Sequence, residues 1–175
     1  GMKIVKLKLK DIIKEKKIDF TIANGENAAE NGKGITNKNF KDLINFGVDV
    51  ITSGNHIWDQ KEILEIIDKE KKLIRPANLL EGQPGNGYGI YGIKNKKIAV
   101  INLIGNVFMK KSQDLFLFSE KLIKKIKLKK DADFIIIDIH GEITSEKMAL
   151  GHYLDGKVTT VVGTHTHVPT SDTKI

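Results

Sequence analysis

Cysteine is absent from all 175 residues, which excludes disulfides, zinc–thiolate sites and iron–sulfur clusters. The absence fits a reducing compartment. No apolar run approaches the ~20 residues that a membrane-spanning helix needs, and the first residues lack the apolar core of a signal peptide. These features predict a soluble, cytoplasmic protein without a membrane partner. Arginine occurs once among 29 basic residues, at Arg75, the rest being lysine. Readers of nucleic acid more often use arginine forks with interleaved aromatics, and the two lysine-rich runs, residues 3–17 and 121–130, hold almost no aromatic side chains. Despite the net charge of +7, these runs therefore read as solvated helix faces, with RNA binding as a weakly supported alternative.

What is present is an α/β pattern in a chain long enough for one sizeable core. The content, 40% apolar and 29% charged, is that of a globular domain. Apolar periodicity predicts helices over residues 5–17, 37–46, 59–69, 118–129 and 145–150, with Val5, Leu9, Ile12 and Ile13 turned inward in the first. Thr36 is placed to cap the second and Gly47 to stop it. Strands are expected over 18–23, 48–52, 134–139 and 158–162, with a hairpin of 88–93 and 97–103 and a short strand at Leu73 and Ile74. Alternation with continuous apolar strands argues for a buried, partly parallel sheet in one domain spanning 1–175.

Five segments then place metal-ligating residue types just after strands. They are Asn24-Gly25-Glu26-Asn27, Gly54-Asn55-His56, Arg75-Pro76-Ala77-Asn78, His140, and Gly163-Thr164-His165-Thr166-His167. Polar residues past the carboxyl ends of parallel strands converge on one crevice. Imidazole suits divalent zinc, iron and manganese. An amide oxygen such as that of Asn55 can ligate a hard cation, and the adjacent His56 can serve as an acid. Glu26 is the only carboxylate of its loop, and a carboxylate is what two cations ~3.5–4 Å apart need as a bridge. A period of two would send His165 and His167 to the same side. Read alone, each residue has a plainer role: a polar turn for Asn55 and His56, a capping glutamate for Glu26, a satisfied core histidine for His140, a structural salt bridge for Arg75. Four of the five histidines fall in these segments, and the joint pattern carries the reading.

The same residues resemble the YmdB-like branch of the calcineurin-like metallophosphoesterases, from about residue 4 to the last. The likeness runs through Asn24-Gly25-Glu26-Asn27-Ala28-Ala29, Gly54-Asn55-His56-Ile57-Trp58-Asp59, Arg75-Pro76-Ala77-Asn78, His140 with Thr144-Ser145-Glu146-Lys147, and Gly163-Thr164-His165-Thr166-His167-Val168. The resemblance implies a layered α/β/β/α sandwich with its metal site at the strand carboxyl ends. It also implies two metal ions, typically iron or manganese, and phosphodiesterase activity with 2′,3′-cyclic nucleotides as the leading substrate class. By the same resemblance Glu26 is the bridging carboxylate, and Asn55, His140 and His165 complete one ion's ligands. His167 serves the other ion with Asn27 nearby, His56 is the general acid or phosphate-contacting group, and Arg75 is a candidate phosphate contact. Gly141 stands where the family pattern has alanine. The pattern also has an earlier strand ending in a metal-binding aspartate and further strands beyond residue 175. The expectation is therefore that these residues are part of a longer enzyme. A metal- or nucleotide-binding protein without turnover is the alternative.

Overall fold

The computed structural model describes residues 1–175. In chain order the elements are α1 (Met2–Lys16), β1 (Ile22–Asn24), α2 (Asn37–Phe46), β2 (Val50–Thr52), β3 (Tyr88–Ile93), β4 (Lys96–Ile104), α3 (Leu115–Lys125), β5 (Phe134–Gly141), α4 (Thr144–Tyr153) and β6 (Thr160–His165). A short 3-10 turn, Lys61–Glu65, follows β2. β1 and β2 pair in parallel as one sheet. The other has the order β3-β4-β5-β6, with an antiparallel β3–β4 hairpin followed by two parallel pairings.

The period-two alternation of strands sorts their side chains into layers. On β4 and β5, Ala99, Ile101, Leu103, Ile135, Ile137 and Ile139 face α3 and α4, meeting Leu115, Leu122, Leu150 and Leu154. On β2, Ile51 faces α2 and the 3-10 turn, where Phe40, Leu43 and Ile63 are buried. The opposite faces of the two sheets meet each other through Val50, Ile74, Ile98 and Val100, joined by Ile22 and Ile136. The result is the expected α/β/β/α sandwich. Further along the strands the layer between the sheets turns polar, with Thr52, Asn102, Asp138 and His140 all buried.

Local signals account for several element ends. Thr36 accepts from the Asn39 amide at 3.0 Å while Asn39 Oδ1 accepts from the Thr36 amide at 3.2 Å, a reciprocal cap that starts α2 as predicted. Gly47 stops that helix at φ 106°, a conformation that glycine adopts without penalty. The lysine runs lie on the solvent faces of α1 and α3, and Ile12, expected inward, is 43% exposed.

Several expected elements differ: β1 is only Ile22–Asn24 where 18–23 is expected, Leu73 and Ile74 form isolated bridges and no strand of their own, and three more change. The helix over 59–69 is only a 3-10 turn. Glu62 accepts from the Asn37 amide at 2.7 Å and Gln60 donates to the Lys33 carbonyl at 2.7 Å, so tertiary anchors override a helical pattern. α3 starts three residues early because Asp114 caps it, accepting from the Leu117 amide at 2.8 Å. β6 starts two residues late and continues to His165, so Gly163 and Thr164 lie within the strand instead of just after it. No helix is long and apolar enough to cross a membrane.

Candidate metal and phosphate site

Parallel pairing brings the carboxyl ends of β1, β2, β5 and β6 to one edge of the sandwich. β1 runs into Gly25 and Glu26, and the Gly25 amide still donates to the Thr52 carbonyl of β2 at 2.8 Å. β2 runs into Gly54 and Asn55. β5 ends beside His140, which lies opposite Thr164 of β6. Gly54 is required here by space, since a Cβ would run into the His140 imidazole.

Two hydrogen-bond chains set the direction of the imidazoles. Asp138 Oδ1 accepts from the Thr164 hydroxyl at 2.7 Å, and Thr164 Oγ1 stands 3.1 Å from His140 Nδ1. With its own proton committed to Asp138, the Thr164 oxygen accepts from Nδ1–H, which leaves the lone pair of His140 on Nε2. Glu142 stands 2.9 Å from His165 Nε2 and accepts its proton, leaving the His165 lone pair on Nδ1. Those two ring nitrogens are 3.1 Å apart. Asn55 Oδ1 is 2.9 Å and Glu26 Oε1 3.5 Å from His140 Nε2. His140 Nε2 thus faces three further acceptor atoms, and the other Glu26 oxygen is buried without a partner.

Ligands held about 2.0–2.2 Å from one ion lie roughly 2.9–3.5 Å from their neighbours, so this donor set fits a cation. No three His, Asp or Glu side chains make such a site by themselves; the Asn55 amide completes it.

Electrostatics agree with the geometry. Burial pushes the Glu26 carboxyl up to about 7, against the opposing pull of the His56 and Gly54 amides. Burial, with His165 beside it, pulls His140 down to about 3. The Glu26–His140 contact is therefore no ion pair at neutral pH, because the imidazole is neutral. Burial likewise raises Asp138, but its partners, Thr52 Oγ1 at 2.5 Å, Asn24 Nδ2 at 3.0 Å and Thr164, are all donors. The bonds these donors make to the carboxylate oppose the upward shift that burial imposes.

The remaining expected residues divide. His56 joins the cluster through its backbone, whose amide donates to Glu26 Oε1 at 2.6 Å, while its Nδ1 is held 2.7 Å from Asp59 Oδ2. His167 lines the same cleft as His165 but has a different partner. Both have left-handed backbones, φ 56° and 105°, so strand alternation ends there. His167 Nε2 instead meets Asn27 Oδ1 at 3.0 Å as an exposed pair. A cleft of about 1200 Å³ is lined by Asn24, Asn27, His140, Thr164, His165 and His167, while Asn55, His56 and Asp59 lie outside its walls.

Arg75 is not brought to the cluster. Its guanidinium donates to the carbonyls of Pro84, Pro76 and Gln83 at 2.8–3.0 Å, stitching the 82–87 loop, and it lines a separate cavity of about 380 Å³.

The roles missed in the sequence are the supporting ones, those of Asp59, Asp138, Glu142, Thr164 and Lys110, whose Nζ donates to the Asn55 carbonyl at 2.6 Å. A carboxylate inside the isoleucine run of β5 was the one available signal.

Glu26 generates a prediction for chelator-treated protein. Its pKa is about 7 when folded against 4.5 ordinarily, so the folded state holds the extra proton between those values. Stability from this group is full below pH 4.5 and falls as pH rises towards 7, by on the order of 3 kcal/mol. Glu26→Gln removes the titration. In urea unfolding, the stability of the variant relative to the parent is expected to climb across pH 4.5–7 and then level. A difference that does not change with pH would refute the assignment.

Comparisons with known proteins identify the family. A family model described as YmdB-like protein matches residues 1–175. A 2′,3′-cyclic-nucleotide 2′-phosphodiesterase of Bacillus subtilis is 51% identical over 156 residues, covering 89% of this chain and 58% of that protein. The crystal structure of a hypothetical protein from Thermus thermophilus superposes with a TM-score of 0.91 at 40% identity, covering 99% of this chain and 66% of the other. That of a phosphatase from Mycoplasma pneumoniae gives 0.89 at 38% identity, covering 98% and 62%. The chain thus spans about 58–66% of the length of these relatives. On sequence and fold together, the chain belongs to the YmdB-like family.

Proposed function

We propose that this chain carries the metal-holding and proton-donating groups of a phosphodiesterase that acts on 2′,3′-cyclic nucleotides. The observation that carries the reading is the convergence of acceptor atoms of Glu26, Asn55 and His165 on His140 Nε2. The substrate class is supported by the name of the Bacillus subtilis relative.

Glu26, Asn55, His140 and His165 would hold one ion. His167 and Asn27, with Glu26 shared between sites, would hold a second. Imidazole, amide and carboxylate together suit iron or manganese, as the family resemblance implies. Bound there, such ions offset charge on phosphoryl oxygens and make a water acidic enough to supply the nucleophile near neutral pH.

The chain's own residues do the rest. Asp138 and Thr164 hold His140 in the tautomer that presents Nε2, and Glu142 does the same for His165 Nδ1. Asp59 fixes the ring of His56 through Nδ1, which leaves Nε2 as the atom that gives a proton to the leaving oxygen. The His56 amide bond to Glu26 sets that acid at a constant distance from the ligand set.

Two experiments test this. Thr164→Val keeps the shape of the side chain and deletes the hydroxyl between Asp138 and His140, and is expected to weaken manganese binding about 10- to 100-fold in titration calorimetry. Unchanged affinity would remove the tautomer argument. His56→Ala is expected to retain its metal by elemental analysis while losing roughly 10²–10⁴-fold in turnover of adenosine 2′,3′-cyclic phosphate. The loss should be far smaller for a p-nitrophenyl diester, whose leaving group needs no proton. Equal losses on both substrates would exclude His56 as the acid.

A further inference from the structure

The loop from Gly105 to Gln113, between β4 and α3, has a feature that the ligand set and His56 do not use. Phe108 is 83% exposed, with Val107 beside it 45% exposed. Phe108 is also left-handed, at φ 60°. A bulky side chain avoids that conformation unless its surroundings dictate it, and such residues gather at functional sites.

The surroundings here are well defined. At the start of the loop, the Asn106 amide donates to Glu146 at 2.8 Å and its side-chain oxygen accepts from the Leu115 amide at 2.8 Å. Asn106 Nδ2 also donates to Ser112 Oγ and the Gln113 carbonyl, at 2.9 and 3.0 Å, closing the loop on itself. In the middle, Met109 packs onto the core cluster that contains Ile57 and is flanked by Trp58. Lys110 donates to the Asn55 carbonyl at 2.6 Å and lies 3.8 Å from Asp59, the partner of His56. Met109 points in, so Phe108 is held out. Phe108 lies two residues from Lys110, at most about 7 Å of chain, and the Lys110 side chain reaches from there to the Asn55 carbonyl, so the loop carries Phe108 on the Asn55–His56 side of the molecule.

A solvent-facing aromatic ring on a braced loop, two residues from a cationic side chain that reaches the candidate phosphate site, suits one ligand group, the planar base of a nucleotide. We propose that Phe108 is the platform on which that base stacks while the phosphodiester occupies the Glu26–Asn55–His140–His165 cluster. The loop then selects nucleotides from other phosphodiesters without taking part in the chemistry. This inference rests on the phosphodiesterase reading above.

The test compares two substrates of the metal-loaded protein: adenosine 2′,3′-cyclic phosphate, and methyl riboside 2′,3′-cyclic phosphate, which has the same diester and no base. Phe108→Ala is expected to lower the ratio of kcat/KM for the first over the second by roughly 5- to 100-fold, mainly through KM, as loss of one stacking contact would. Phe108→Tyr should restore the ratio and Phe108→Leu should not. A ratio unchanged by Phe108→Ala would overturn the proposal. A binding measurement separates this from failure of the catalytic reading. In a Trp58→Phe background, Phe108→Trp should lose fluorescence on addition of adenosine 3′-monophosphate and not on addition of inorganic phosphate. If the parent hydrolysed neither diester, the catalytic reading would fall. The quenching would then decide alone, with its presence supporting the platform and its absence overturning it.

Discussion

The Asp138 carboxylate lies between the two sheets and accepts from Thr52 on β2, Asn24 at the end of β1 and Thr164 on β6. Its own strand, β5, is central in the second sheet, so one side chain links all four strands whose ends form the site. A buried ion pair or anion of this kind adds little net stability compared with a packed apolar layer, but removing one of its partners is costly. What the network fixes is position. The lateral placement of the β1–β2 sheet on its neighbour is specified by the two directional bonds from Thr52 and Asn24, where the apolar layer below would tolerate sliding.

That division explains the gradient within the sandwich. Where Val50, Ile98, Val100 and Ile136 meet, contacts are non-directional and supply the driving force for association of the sheets. Two residues further along, Thr52, Asn102 and Asp138 replace them on the same faces, and Asn102 accepts from the Ser53 amide at 3.0 Å. Beyond these come His140 and Asn55. Each step along the strands exchanges apolar contact for direction, with Thr52, Asn102, Asp138 and His140 still buried. The ligands are thereby placed by a polar layer that is itself seated on an apolar one, the condition for holding donor atoms within a few tenths of an ångström.

Much of this was legible in the sequence because the signals were local. The reciprocal cap of α2, its glycine stop, the β3–β4 hairpin and the isoleucine run of β5 each follow from a few neighbouring residues. Convergence of Glu26, Asn55 and His140 followed from one rule about strand ends. The failures share a cause: they depend on partners distant in the chain. The segment after His56 has a helical pattern, but its side chains cap α2 and brace the loop at Lys33. Asp138 carries no mark in sequence that it meets Asn24, 114 residues away. The different partners of His165 and His167 needed two left-handed residues, and histidine gives only a mild bias toward that conformation. Arg75 was read by its charge, whereas its geometry, three carbonyl acceptors around one planar fork, makes it a brace for a loop.

The charge states of the ligand set close the argument. An isolated buried carboxylate would normally be met by lysine or arginine, yet none hydrogen-bonds Glu26, and only backbone amides point toward it. Burial drives Glu26 toward its protonated form and His140 toward its neutral one. Both shifts lower the positive and negative charge that the protein itself places at the point where four acceptors meet. A proton and a cation then compete for the same Glu26 oxygens. Loading at a pH below about 7 must release that proton, so affinity for the cation strengthens as pH rises toward 7, and much less beyond it. The burial that makes the empty-handed carboxylate unfavourable is thus the same feature that makes it selective for a multivalent positive partner over solvent.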